Sequence, residues 1–210
     1  MTPGMVFKSI GIACLVLTLF ALSAQADTLA SFTGGTTTVL ISASAAQSAT
    51  TSAGGPWNNI GFAFLTINGS NAAGGDLFLL SSEYLGAPGN LSSSTPGFIA
   101  QSTGIAGGAW TFAASLTLLP NTEYFFYSNY LFPANTLSSD LGNPYSGGTA
   151  YACCYAGGPL NFGDAGGELD FNFRLTGTVV AAPVPEPSTL LFCLAGLGIA
   201  ASLQRRHVSR

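Results

Sequence analysis

Charged residues are scarce in this sequence, and positive charge is almost missing from its interior. Only 7% of the 210 residues are charged, with five Lys and Arg against nine Asp and Glu, whereas about 25% is usual for soluble globular chains. Arg174 is the only basic residue between positions 27 and 204, and the one histidine is His207. The chain therefore lacks the basic surface of a nucleic-acid-binding protein, and we expect no nucleic-acid partner.

The missing histidines and lysines also exclude several kinds of catalytic site. Residues 27–204 cannot provide a Ser–His or Cys–His nucleophile pair, a lysine base or a His-ligated zinc site. The sequence has neither a G-x-S-x-G motif nor a phosphate-binding loop. We therefore expect a protein that is not an enzyme and that needs no cofactor.

The N-terminus has the three parts of a secretory signal. Lys8 supplies a positive charge, residues 9–23 are apolar, and Ala24 and Ala26 form the small-x-small pattern that signal peptidase accepts. This apolar run is shorter than the roughly 20 residues that a membrane-spanning helix needs. We predict that signal peptidase removes residues 1–26, so that the mature chain begins at Asp27.

The C-terminus combines a proline-rich segment, a short apolar run and a basic tail. Alternating prolines at 183–187 keep that segment extended. Residues 188–204 would be about 25 Å long as a helix, which is enough to cross a slightly thinned bilayer. The arginines in residues 205–210 favour a cytoplasmic end. This predicts a single-pass transmembrane helix that leaves residues 27–187 outside the inner membrane.

Seven residues of this tail form a pattern of their own: Val184, Pro185, Glu186, Pro187, Ser188, Arg205 and Arg206. With its motif at 183–188, the segment 183–210 resembles the PEP-CTERM sorting signal of Gram-negative bacteria that make exopolysaccharide. The resemblance implies that the membrane peptidase exosortase processes the tail, so these residues are its substrate. It also implies an exported protein, anchored in the inner membrane facing the periplasm and later found at the cell surface or in the extracellular matrix.

The central residues 27–182 alternate apolar and polar side chains, and glycine pairs separate the runs. The clearest runs are 109–119 and 169–179. In the second run we expect Asp170 and Asn172 to face solvent and Val179 to face the core. Weaker strand candidates are 36–42, 59–67, 76–82, 98–101 and 123–129. Seven or more strands predict a single all-β domain, a β-sandwich of immunoglobulin-like or jelly-roll-like type.

Residues 118–124 read Leu-Leu-Pro-Asn-Thr-Glu-Tyr. They resemble the tyrosine corner of immunoglobulin-like and fibronectin type III sandwiches, which implies a hydrogen bond between the Tyr124 hydroxyl and the turn backbone. Together with Trp57, Phe62, Phe64 and the leucine-rich residues 77–80, the pattern is similar to the choice-of-anchor domains of bacterial surface proteins. That resemblance covers residues 35–180 and implies no catalytic residues.

One loop near the end of this domain contains candidate functional residues. In an exported chain the adjacent Cys153 and Cys154 can form a disulfide with each other, bridge another chain or remain free. Tyr145, Tyr151 and Tyr155 lie in the same glycine-rich region. Their rings are candidate contacts for the apolar faces of sugars, although tyrosines in such loops also commonly pack against their own domain.

Asp164, Glu168 and Asp170 form an acidic group close to this loop. Such carboxylates can hold calcium, and two of them can serve a glycosidase; the alternative is that they decorate a turn and a solvent-exposed strand face. We therefore expect an exported, non-enzymatic protein of the surface or exopolysaccharide matrix. The alternative function is a carbohydrate-binding module that uses the tyrosine loop, with or without calcium.

Overall fold

A computed structural model describes residues 25–39, 42–154, 160–164 and 169–180, with only the backbone of residue 164. This part of the chain contains fifteen β-strands, one 3-10 turn at Pro88–Asn90 and no α-helix. The strands are β1 (Asp27–Phe32), β2 (Thr37–Thr38), β3 (Ser44–Thr50), β4 (Trp57–Leu65), β5 (Asn71–Ala72), β6 (Leu77–Leu80), β7 (Phe98–Gln101), β8 (Gly104–Ala106), β9 (Ala109–Thr111), β10 (Glu123–Ser128), β11 (Ser138–Leu141), β12 (Ala150–Cys153), β13 (Gly163–Asp164), β14 (Leu169–Phe171) and β15 (Phe173–Val179).

The strands form two large sheets and one small one. The first sheet has the order β1-β15-β4-β9-β8, with β5 beside β4, and the second has the order β13-β12-β3-β10-β6-β7. A short third sheet has the order β14-β11-β2. Neighbouring strands are antiparallel in all three sheets. The predicted all-β sandwich class is confirmed.

Large apolar side chains from the two main sheets fill the space between them. Phe62 and Phe64 of β4 and Phe173 of β15 meet Leu79 of β6 and Phe126 of β10, and all five are fully buried. The rings of Phe62 and Phe126 stack across the sandwich with their centroids 4.4 Å apart. We call this set of contacts the inter-sheet core, and burial of its apolar surface stabilises the fold.

The outer face of the second sheet is also buried. Phe78 and Leu80 of β6 alternate with side chains of the inter-sheet core and therefore lie on the opposite face. They join a separate apolar group, which we call the outer cluster. Its buried members are Ala46, Phe78, Leu80, Leu91, Tyr127, Tyr151, Cys153 and Phe162. Because this sheet is covered on both faces, β6 is buried at every position and shows no polar alternation.

The tyrosine-corner prediction is confirmed. The Leu119 backbone N–H donates to the Tyr124 hydroxyl at 2.9 Å, and Tyr124 is buried in the inter-sheet core. The hydroxyl thereby satisfies a backbone donor that would otherwise lack a partner at the turn preceding β10. This bond fixes the entry of the chain into the second sheet.

The strand predicted at 109–119 is mostly wrong. Only Ala109–Thr111 is extended as β9; the chain then turns at residues 114–115 and returns through an isolated bridge between Leu118 and Trp57. Trp110, Phe112 and Leu118 are buried as expected, whereas Ala114 is exposed at the turn. The predictions for 98–101 and 123–129 correspond to β7 and β10, and β2 is the strand found among the described residues of the segment 36–42.

The predicted strand at 169–179 divides into β14 and β15, and its solvent face is partly wrong. Asp170 and Asn172 are buried, whereas Val179 is 45% exposed. A register shift between Thr176 and Thr178 in the pairing of β15 with β4 inverts the alternation, so that Thr178 is buried and Val179 is not.

Asn172 lies between β14 and β15 and is buried. Its side-chain amide forms two hydrogen bonds with the Gly35 backbone, as a neighbouring strand would. Its Oδ1 accepts from the Gly35 N–H at 2.8 Å, and its Nδ2 donates to the Gly35 carbonyl at 3.0 Å. A polar side chain paired in this way can be buried without leaving a donor or acceptor unsatisfied. The contact attaches the segment before β2 to the first sheet.

Candidate functional site

Cys153 and Cys154 are joined by a disulfide bond. Cys153 is the last residue of β12, and its side chain is buried in the outer cluster. Cys154 follows in a left-handed conformation with φ 69° and is partly exposed. Of the three arrangements that the sequence leaves open, the structure therefore has the bond between neighbours, placed at the border between a buried cluster and the surface.

The two described tyrosines of this loop are packed against the domain. Tyr151 is buried in the outer cluster, with its ring 5.5 Å from that of Tyr127. The Tyr145 ring packs edge-on against Phe173 with centroids 5.1 Å apart, and burial raises the pKa of its hydroxyl. Tyr155 lies outside the described residues. The Tyr151 ring is covered by the protein, which corresponds to the packing alternative rather than to the candidate glycan contact.

Asp170 connects this region to the second sheet. Its Oδ2 accepts from the Tyr145 N–H at 2.7 Å, and its Oδ1 accepts from Nε2 of Gln47 at 3.1 Å. Gln47 in turn accepts from the Phe171 N–H through Oε1 at 3.2 Å. Burial raises the pKa of Asp170, and these two hydrogen bonds oppose that shift.

The acidic group does not form a metal site in the described part of the chain. Glu168 and the side chain of Asp164 lie outside it, and both carboxylate oxygens of Asp170 already accept protein hydrogen bonds. No set of three potential metal-ligating side chains comes together among the described residues. Asp170 acts instead as a buried acceptor that connects the Tyr145 loop to β3.

A groove at one end of the first sheet, unlike the packed tyrosine loop, is open to solvent. It has a volume of about 350 Å³ and lies between the β4–β5 turn, the β8–β9 turn and the loop that follows β10. Its lining includes Thr66, Asn71, Gly108, Tyr130, Pro133 and Thr136, and no described residue that lines it is charged. Tyr130 is 38% exposed, whereas Tyr151 is buried and Tyr145 is only partly exposed.

This groove could not be predicted from the sequence, because its residues come from three distant segments. Asn71, Gly108 and Tyr130 become neighbours only when β5, the β8–β9 turn and the loop after β10 meet. The sequence signal nearest to the groove is the polar and aromatic stretch that follows β10, where the alternation of the strand is lost. This stretch does not indicate which residues form the other walls of the groove.

The predicted processing residues lie almost entirely outside the described part of the chain. This applies to Ala24, to Val184 through Ser188 and to Arg205 and Arg206. Ala26 and Asp27 are described and exposed, and β1 begins at Asp27. Within the described residues, no helix has the length and apolar character required to span a membrane; the predicted span 188–204 lies beyond them.

The described residues define an all-β sandwich protein, and comparison with known families characterises its tail. Residues 183–207 match the family model of the PEP-CTERM protein-sorting motif, which confirms the motif predicted from sequence. The chain is therefore a β-sandwich protein that carries a PEP-CTERM sorting motif. No curated protein and no solved structure matches it. The motif implies exosortase as the processing partner and an exported protein that is anchored in the membrane before processing.

Proposed function

We propose that this chain is an exported, non-enzymatic protein of the bacterial surface or exopolysaccharide matrix. Signal peptidase removes residues 1–26, the tail holds the protein in the inner membrane with its sandwich facing the periplasm, and exosortase then processes the tail. The observation that carries this proposal is the sorting motif at 183–207, placed after a folded domain whose last strand ends at Val179.

The properties of the described domain support a structural role at the cell surface rather than a catalytic one. Its one buried carboxylate, Asp170, accepts two hydrogen bonds from its own protein, and its paired cysteines are bonded to each other. Residues 27–182 contain no histidine or lysine that could act as a general base. A sandwich with such a core is a rigid scaffold that holds its surface loops in place.

Intact mass and cell fractionation in the native host, with and without exosortase, test the proposal. We expect a mature form that begins at Asp27 and ends near residues 185–187, and we expect the loss of exosortase to retain the longer chain in the inner membrane. Glu186→Ala should reproduce that retention. Glu83→Ala, an acid-to-alanine change at an exposed position of the sandwich, should leave processing unchanged. A full C-terminus in both strains would contradict exosortase processing.

A further inference from the structure

Tyr130 is an exposed aromatic residue whose position is fixed by its surroundings. Gly74 lies against its ring so closely that a Cβ added at Gly74 would come within 2.6 Å of a ring carbon. The ring packs edge-on against Phe132 with centroids 5.0 Å apart, and Phe132 exchanges backbone hydrogen bonds of 3.0 and 3.1 Å with Ala43. A ligand that contacts this ring would therefore immobilise little additional side-chain freedom.

The polar groups that line the groove beside Tyr130 are neutral and available for hydrogen bonding. Asn71 is oriented by its Nδ2, which donates to the Gly107 carbonyl at 3.0 Å. Within the described residues, the Asn71 Oδ1, the Thr136 hydroxyl and the Tyr130 hydroxyl have no protein partner. A side-chain amide and hydroxyls can both donate and accept, which matches the hydrogen-bonding pattern of sugar hydroxyls.

Charge and size narrow the class of ligand. Residues 27–182 contain eight acidic residues and one basic residue, so the field of the domain repels polyanions. The groove itself has no charged lining among the described residues, and its volume of about 350 Å³ suits a small ligand. A planar aromatic surface beside neutral polar groups fits a molecule with one apolar face and several hydroxyls.

We propose that this groove binds a short segment of a neutral saccharide. Tyr130 contacts the apolar C–H face of one sugar ring, and Asn71 and Thr136 hydrogen-bond its hydroxyls. The groove lining includes no residue of the tyrosine loop around the disulfide, whose described rings are packed into the domain. The saccharide site rests on the proposed function only in that export brings the domain into contact with extracellular glycans.

Calorimetric titration of the purified full-length chain tests this site. The chain is held in a zwitterionic detergent without a sugar head group, because a glycoside detergent would compete for the groove. The probes are cellohexaose, maltohexaose, laminarihexaose and mannohexaose, with hexagalacturonate as the anionic comparison. We expect saturable binding of at least one neutral hexasaccharide and none of hexagalacturonate. Binding of none of the four neutral probes, or equal binding of hexagalacturonate, would overturn the proposal.

Two variants locate the binding. Tyr130→Ala should weaken the affinity about tenfold or more, because it removes the aromatic contact. Leu131→Ala is the matched control, because Leu131 is the adjacent residue, is 49% exposed and does not line the groove. The affinity of this variant for the saccharide should remain within about twofold of the parent value. Equal weakening by both variants would show that the ligand contacts another surface.

Thr136→Ala provides a second test of the groove in case Tyr130→Ala does not fold correctly. It removes one hydroxyl from the groove and leaves the Tyr130–Phe132 contact in place, so we expect a loss of about threefold with unchanged thermal unfolding. Unchanged affinity in both Thr136→Ala and Tyr130→Ala would overturn the proposal. Because binding is measured on the purified chain, its failure is separate from a failure of exosortase processing in cells.

Discussion

The inter-sheet core and the outer cluster are both well buried, but they are closed in different ways. In the inter-sheet core, strands of one sheet face strands of the other, as in the stacked pair Phe62 and Phe126. In the outer cluster, the sheet is covered by loop residues: Tyr84 follows β6, and Phe162 comes from the segment after the disulfide. The first core therefore depends on sheet pairing, whereas the second depends on how well its loops stay in place.

Phe126→Ala is expected to have the largest effect on stability. Phe126 is fully buried and stacks on Phe62, so truncation leaves a cavity between two sheets that cannot easily close. We expect the free energy of unfolding to fall by about 3–5 kcal/mol, measured by urea unfolding followed by tryptophan fluorescence. Phe125→Ala, at the next and partly exposed position of β10, is the control. An equal loss in the control would show that the two faces of β10 do not differ.

Phe162→Ala is expected to have a smaller effect, because a loop can relax into the space that the ring leaves. Phe162 packs on Tyr127 with centroids 4.9 Å apart, and its backbone N–H donates to the Gly86 carbonyl at 2.9 Å. We expect a loss of about 2–3 kcal/mol, at or just below the lower end for buried phenylalanines. Limited proteolysis should become faster near residue 162. Unfolding as severe as in Phe126→Ala would mean that the outer cluster is no less rigid than the inter-sheet core.

How much of the fold could be predicted depends on the size and polarity of the side chains in each strand. The strands β4, β6 and β10 carry large apolar residues and could be located from sequence, as could the corner at Tyr124. The buried strand Ser44–Thr50 was missed because it consists of small and polar residues. Small side chains suit a strand that is covered on both faces, and its Gln47 is buried because Asp170 and Phe171 pair with it.

The candidate site was harder to predict than the fold, for a related reason. The aromatic candidates from sequence were Tyr145, Tyr151 and Tyr155, and Tyr130 was not among them. In the structure the rings of Tyr145 and Tyr151 pack against Phe173 and Tyr127, whereas Tyr130 is 38% exposed. Such packing depends on contacts between residues far apart in the sequence, which alternation and composition do not encode.

The pH dependence of stability should reveal the buried Asp170, which connects the Tyr145 loop to β3. Burial raises the pKa of Asp170 above its unfolded value of about 3.9. Below the unfolded value the group has no effect; as the pH rises from there through the folded pKa, it progressively lowers the free energy of unfolding. Asp170→Asn removes this titration, so the stability of the variant relative to the parent should rise between pH 4 and 7.

Urea unfolding at a series of pH values measures this relative stability. Asparagine also places an amide N–H where the carboxylate accepted a hydrogen bond, which gives a constant offset but no slope. Glu83→Gln, an acid-to-amide change at an exposed position, serves as the control. A relative stability that falls as the pH rises would show that the hydrogen bonds from Tyr145 and Gln47 outweigh desolvation.

The smallest effect is expected from reduction of the disulfide, although Cys153 is buried in the outer cluster. A bond between adjacent residues closes almost no loop, so its removal should change the free energy of unfolding by no more than about 1 kcal/mol. The measurement is urea unfolding with and without a phosphine reductant, with alkylation and intact mass to verify reduction. A loss equal to that of Phe162→Ala would show that the bond holds Phe162 in place. A small loss would assign that role to the contacts of Phe162 with Tyr127 and Gly86, which reduction leaves intact.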